Sequence, residues 1–146
     1  MFDALIRHLL HPAPARLPEP DAKLALAALL VRIARTDGLY SAEEVERIDR
    51  VLAVRYGLDP FAAAKLRAEA EDLETQAPDT VRFTRALKAA TALEDRAEMI
   101  VAMWSVVLAD GQRDDEEDRM MRLVANLMGL TDVESAQARQ RASAAQ

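Results

Sequence analysis

The 146-residue chain contains no cysteine, only four glycines and only six aromatic residues. The absence of cysteine excludes disulfide scaffolds, thiolate zinc sites and cysteine nucleophiles. Basic residues are outnumbered by acidic ones, 19 against 25, and the net charge of −6 argues against nucleic acid as a partner, since binding to a phosphate backbone needs an excess of positive charge. There is no Gly-rich phosphate loop, G-x-S-x-G motif or Ser/His/Asp spacing. We therefore predict that the chain is not an enzyme.

Long apolar runs and targeting signals are also lacking. The longest nearly apolar run, residues 99–109, is far shorter than the roughly 20 residues that cross a bilayer. Residues 1–10 contain one arginine and no small-residue cleavage site, unlike a secretory signal peptide. We expect a cytoplasmic protein. The alternative is peripheral association with the inner membrane.

What the chain does contain is alanine, 29 residues of it, within a hydrophobic fraction of 51%. This composition favours helix and is poor in the β-branched and aromatic residues typical of strands. We predict an all-α fold, a single helical bundle. Periodicity and capping signals place helices at about 21–37, 41–56, 60–73, 79–93, 94–110, 114–128 and 132–146.

The amino-terminal segment is predicted to be an appendage. Apolar residues recur there at helical spacing, and four prolines between residues 12 and 20 follow as a stiff connector. We therefore divide the chain into residues 1–20, an amphipathic helix with its connector, and residues 21–146, the helical domain. The apolar stripe could dock on its own domain, lie on a membrane surface or meet a partner. Its candidate partner-binding residues are Phe2, Leu5, Ile6 and Leu9.

An internal repeat appears within the domain. LAALLVRIARTDG, residues 26–38, aligns with MIVAMWSVVLADG, residues 99–111, at an offset of 73, and both end in Asp-Gly. Four residues separate each glycine from a glutamate pair, and RIDRVLAVRYGL then aligns with RMMRLVANLMGL after a one-residue deletion. The repeating unit is helix, DGxxxxEE, helix, Gly-Leu.

The acidity of the chain is concentrated in these two loops. Residues 37–46 carry −4 and residues 110–118 carry −5, so the remaining 127 residues sum to +3. Such an asymmetry is the strongest functional signal in the sequence. The acids of the repeated motif are Asp37, Glu43 and Glu44 in the first copy and Asp110, Glu116 and Glu117 in the second.

Three interpretations of these loops stay open. Ser41-x-x-Glu44 and Asp114-x-x-Glu117 both fit a capping box, which explains the glutamates without a ligand. Asp37 and Asp110, however, follow helices at their negative ends, where an acid is unfavourable, and converging carboxylates repel unless a cation or arginines neutralise them. The second interpretation is therefore a divalent cation of the Ca²⁺ or Mg²⁺ class, in a loop unlike an EF-hand. The third is an acidic docking surface for a basic partner.

Other residues have simpler interpretations. Trp104, with Met99 and Met103, is predicted to belong to the core of the second repeat. The acidic run of residues 69–74 is predicted to be a solvated helix end.

With DGxxxxEE present twice, the sequence resembles the TerB-like family of tellurite-resistance proteins, also found at the amino end of DjlA membrane co-chaperones. The matching stretches are LLVRIARTDGLYSAEEVERIDRVLAVRYGL, residues 29–58, and VVLADGQRDDEEDRMMRLVANLMGL, residues 106–130. The resemblance implies a bundle of about seven helices with a pseudo-twofold arrangement. It also implies that the six motif acids gather at one pole and bind metal. Arg35, which interrupts the apolar pattern of the first copy, is expected to weaken such a site.

These observations predict a non-enzymatic domain that binds a divalent cation through its paired loops, in a tellurite, metal or envelope stress response. The alternative is a metal-independent adaptor that uses the acidic pole or the amino-terminal helix to bind an unknown protein partner. A membrane-associated protein is one candidate for this partner. A homodimer is a further candidate assembly.

Overall fold

The computed structural model describes residues 21–36, 38–77, 79–109, 111 and 114–145. Within these ranges the chain forms seven α-helices and no strand, which confirms the predicted all-α class. The helices are α1 (Ala22–Arg35), α2 (Ala42–Tyr56), α3 (Pro60–Gln76), α4 (Thr80–Ala90), α5 (Leu93–Val107), α6 (Asp115–Leu127) and α7 (Asp132–Ala144). The helix and connector predicted for residues 1–20 lie outside the described residues.

Side-chain caps begin most of these helices where the sequence predicted them. The Asp59 carboxylate accepts from the Ala62 amide at 2.7 Å, with Pro60 in the first turn of α3, where its missing N–H costs nothing. Ser41 forms the predicted capping box with Glu44 at the start of α2. α7 begins with a second box, between Thr131 and Glu134, which the T-x-x-E spacing could have identified.

The capping box predicted for α6 is wrong. The Asp114 carboxylate accepts from the amide of Glu116 at 2.7 Å, one residue earlier than a capping box requires. Asp59 accepts instead from the amide three residues on, so the difference lies in the local conformation at Asp114 and not in the residue type. The second copy of the motif therefore begins its helix differently from the first.

The Gly-Leu pairs end α2 and α6 in the same way. Gly57 has φ 62° and Gly129 has φ 87°, a left-handed conformation that glycine adopts without a side-chain clash. The following leucine amides then bond back, Leu58 to the Ala53 carbonyl at 3.0 Å and Leu130 to the corresponding carbonyl in α6 at 2.9 Å. These matching bonds support the internal repeat, which as a whole stays a prediction.

The predicted boundary between the fourth and fifth helices, at residues 93 and 94, is wrong by a few residues. α4 ends at Ala90 and α5 begins at Leu93, with no side-chain cap at its start. Arg96 supplies the missing stop signal, because its guanidinium donates to the carbonyl of Thr91 at 3.2 Å and to that of Lys88 at 3.4 Å. A capping contact from a residue of the next helix has no local sequence signature.

α1 is the central helix of the bundle. It packs against α2 to α6, most extensively against α3 and α4, and nine of its fourteen residues are buried. Such all-round burial explains why its sequence, AKLALAALLVRIAR, is so nearly continuous in apolar residues. α5 holds the second central position and packs most extensively on α7. Its residues Met99, Met103 and Trp104 lie in the hydrophobic core of the bundle, as predicted.

Candidate acidic site

The structure divides the predicted acidic residues into three groups. Asp37 and Asp110 lie outside the described residues. The first glutamate of each pair, Glu43 and Glu116, is exposed to solvent. The second glutamate of each pair is buried, listed here with its exposed fraction: Glu44 at 1% and Glu117 at 2%.

The buried position of Glu44 follows from its role at the start of α2. Its Oε1 accepts from the Ser41 amide at 3.0 Å, and its own amide donates to the Ser41 hydroxyl at 3.1 Å. A carboxylate taken out of water needs such partners, because its desolvation is otherwise costly. Glu44 therefore stabilises the fold, while Glu43 presents its carboxylate to solvent beside it.

One small cavity lies between the start of α2 and the residues that follow α5. It has a volume of about 130 Å³ and is lined by Glu43, Glu46, Arg47, Arg50 and Ala109. Ala109 is the residue before Asp110 in the sequence, and it lines the same cavity as the exposed Glu43. Arg47 links the same two regions, because its Nη1 donates to the Ser105 carbonyl of α5 at 3.2 Å.

The same cavity also contains positive charge. Arg50 lies 3.5 Å from Glu46, and both side chains are more than half exposed, so this ion pair is weak. Among the described residues, no three His, Cys, Asp or Glu side chains are placed to hold a metal ion together. Glu43 and Glu116 are among the described residues, whereas Asp37 and Asp110 are not.

Comparison with protein families gave one match, to the model described as tellurite resistance protein TerB, over residues 23–140. The match spans most of the chain and includes both acidic loops. The chain belongs to the TerB family. Its all-α architecture is that of the family, whose members are in general non-catalytic helical domains. No curated protein and no solved structure matched the chain.

In this TerB-family chain, Arg35 contacts α3 and the ring of Tyr40; its expected effect on a cation site stays a prediction. Its Nη1 donates to Glu74 Oε2 at 2.9 Å, and its guanidinium lies 5.0 Å from the centre of the Tyr40 ring. Arg35 thus binds the end of α3. The structure therefore gives it a packing role between α1, α3 and the first loop.

The prediction that residues 69–74 are a solvated helix end is wrong for two of the acids. Glu74 is mostly buried and pairs with Arg32 at 3.3 Å as well as with Arg35. Glu71 pairs with Arg67 at 3.0 Å, and Arg67 also reaches an aspartate of α2. These pairs carry α3 three residues past its predicted end. The pairs between helices have no local sequence signal, whereas the i,i+4 spacing of Arg67 and Glu71 could have identified their pair.

Arg32 is the most enclosed of these arginines. Beyond Glu74, it donates to the Thr80 hydroxyl at 3.1 Å and to the main-chain carbonyls of Glu74 and Ala77. Its guanidinium lies 5.0 Å from the centre of the Phe83 ring. One side chain of α1 therefore fixes both the end of α3 and the beginning of α4.

The candidate partner-binding residues Phe2, Leu5, Ile6 and Leu9 lie outside the described residues, so their role stays a prediction. Within the described ranges, none of the helices is long and apolar enough to span a bilayer.

Proposed function

We propose that this TerB-family chain is a non-enzymatic domain that binds one divalent cation, of the Ca²⁺ or Mg²⁺ class, between its two acidic loops. We place this binding in a response to tellurite, to other metals or to envelope stress. The observation that carries the proposal is the cavity lined by Glu43 of the first loop and by Ala109, the residue before the second loop. The stress response rests on the family alone.

The chemistry follows from the residues next to that cavity. Asp110 follows Ala109, and Asp37 occupies the matching place in the first copy. Together with the exposed Glu43 and Glu116, they form a set of oxygen donors without histidine or cysteine, which suits a hard cation. A bound cation would cancel the repulsion between these carboxylates and so stabilise the end of the bundle at which the loops meet.

Urea unfolding with and without each ion tests this proposal. Ca²⁺, Mg²⁺ or Mn²⁺ at a hundred times its Kd should raise the free energy of unfolding by about 2.7 kcal/mol, because the proposed site would exist only in the folded chain. The variant Asp37→Asn/Asp110→Asn should lose this effect. Glu69→Gln/Asp72→Asn, which removes the same charge from exposed positions of α3, should keep it.

A second function, the metal-independent adaptor, is favoured by one specific observation. Arg47 and Arg50 line the same cavity as Glu43 and Glu46, so arginines already supply counter-charges to these carboxylates. In that case the acidic loops would dock on a basic protein segment. Absence of stabilisation by every ion, together with amide shifts in α2 and α6 upon addition of a lysine-rich peptide, would favour this function over cation binding.

A further inference from the structure

Arg47 and Arg50 also line a second, larger groove. Its volume is about 390 Å³, and the residues that line it include Arg47, Arg50, Val51, Val54, Arg55 and Ala102. Among the described residues, no carboxylate lines this groove. Three guanidinium groups therefore line one groove in a chain whose net charge is −6, and Arg50 also pairs with Glu46 of the small cavity. We name this feature the arginine groove.

The composition of the arginine groove follows from one face of α2. Residues 47, 50, 51, 54 and 55 are three to four positions apart, so they follow one another along the same side of the helix. Val54 is 81% exposed and Val51 is half-buried, which leaves an apolar strip between the guanidinium groups. Ala102 of α5 continues this apolar strip on the facing side.

We propose that the arginine groove binds an amphipathic organic anion. A carboxylate or phosphate monoester head would lie between the guanidinium groups, and a short apolar body would cover Val51 and Val54. The groove volume falls within the roughly 300–1,000 Å³ typical of small-ligand sites. The arginine groove shares Arg47 and Arg50 with the small cavity beside Glu43, but anion binding in it needs no bound cation.

The charged contacts of the groove suit such a head. Arg47 is held in place by its bond to the Ser105 carbonyl, so part of the ordering cost is already met before a ligand arrives. Arg50 makes only a weak, exposed pair with Glu46 at 3.5 Å, and a bidentate anion would replace this pair with a stronger contact. Arg55 is exposed and lies at the other end of the apolar strip.

Amide chemical-shift titration of the ¹⁵N-labelled full chain tests the proposal. The probes are octanoate and octyl phosphate below their micelle concentrations, with octanol and inorganic phosphate as ligands that lack one half of the chemistry. Both amphipathic anions should shift amides of residues 47–55 and Ala102. Octanol and inorganic phosphate should each bind about tenfold more weakly or less, because each lacks either the ionic contacts or the apolar ones.

Variants connect this binding to the named side chains. Arg50→Gln/Arg55→Gln should weaken octyl phosphate binding about tenfold or more, since charge-assisted hydrogen bonds are lost. Both positions are exposed, so the urea midpoint should stay unchanged. Arg85→Gln, an exposed arginine of α4 outside the groove, should bind like the wild type.

Sedimentation with phosphatidic acid vesicles distinguishes the two sources of such a head. Vesicle binding that the double variant loses would identify a membrane lipid as the source. Binding of octyl phosphate without vesicle binding would identify a soluble ligand. If neither binds, or if the double variant binds both as well as the wild type, the proposal is overturned.

Discussion

At the residue scale, arginines of α1 and α3 form ion pairs with Glu71 and Glu74, two acids of a run that was predicted to be solvated. Arg32 is the clearest case, because its side chain is 11% exposed and it pairs with Glu74. Its apolar neighbours in AKLALAALLVRIAR predicted burial of the helix, but nothing in the local pattern indicated which partner would neutralise this charge. The partner lies 42 residues away in the chain, beyond the reach of any periodicity argument.

We predict that Arg32→Ala lowers the free energy of unfolding by about 2 kcal/mol or more, as expected when a largely buried ion pair loses one member. The loss is moderated because Glu74 keeps its contact with Arg35. Arg85→Ala, at an exposed position, should change the same quantity by less than about 0.5 kcal/mol. Equal losses in urea unfolding of the two variants would contradict the role given to Arg32.

The two glutamates of the first loop should respond differently to substitution. Glu44→Ala removes the capping box and should cost about 1–2 kcal/mol in the free energy of unfolding. Glu43→Ala removes only an exposed side chain and should cost less than about 0.5 kcal/mol. Urea unfolding in the absence of divalent ions measures both, and a larger loss for Glu43→Ala would contradict the division into a buried and an exposed carboxylate.

Both tyrosines should titrate late. Burial, followed by the charge of Glu71, raises the pKa of Tyr40 from 10.0 to about 12, although Arg67 and Arg35 lower it. Burial also raises the pKa of Tyr56, against the lowering effect of Arg55. Since the folded state holds these protons more tightly, both tyrosines contribute to stability in full below pH 10. The contribution of Tyr40 is lost as the pH rises through about 12, and that of Tyr56 is lost in the same direction.

Tyrosinate absorbance of the folded protein should therefore rise only above pH 10, whereas the urea-unfolded chain should titrate near its ordinary value of about 10. Tyr40→Phe should remove the ionisation near pH 12 and reduce the loss of stability at alkaline pH. A folded chain that titrates like the unfolded one would contradict the burial of both phenols.

At the element scale, helix beginnings were more predictable than the contacts that end helices. Ser41, Asp59 and Pro60 mark their helices by local chemistry, and the Gly-Leu ends do the same. The turn between α4 and α5 depends instead on Arg96, which donates to carbonyls at the end of α4 and to the Met128 carbonyl at the end of α6. A contact that joins three helices becomes visible only when they are packed.

We predict that Arg96→Met lowers the free energy of unfolding by about 1–2 kcal/mol, since carbonyls at two helix ends lose a charged donor. Methionine keeps most of the apolar volume, so the loss reports on these hydrogen bonds. Lys65→Met, an exposed position of α3, is the matched control and should change stability by less than about 0.5 kcal/mol. Amide exchange at the end of α4 should also become faster only in the Arg96 variant.

At the scale of the whole molecule, composition and periodicity were sufficient for the fold class and for all seven helices within the described ranges. They were not sufficient for the site. The motif acids looked equivalent in sequence, yet Glu44 and Glu117 are buried while Glu43 and Glu116 are exposed. That division depends on how α2 and α6 pack, and the arginines beside Glu43 could not be placed from spacing alone.

The central claim is that the two acidic loops share one cation, and calorimetric stoichiometry tests it most directly. Titration of Ca²⁺ or Mn²⁺ into the wild type should give one ion per chain, because Glu43 and Ala109, the residue before Asp110, line one common cavity. Asp37→Asn and Asp110→Asn should each, alone, weaken that single site. Two ions per chain, with each variant losing only one of them, would contradict a shared site, and absence of binding heat with every ion would contradict cation binding itself.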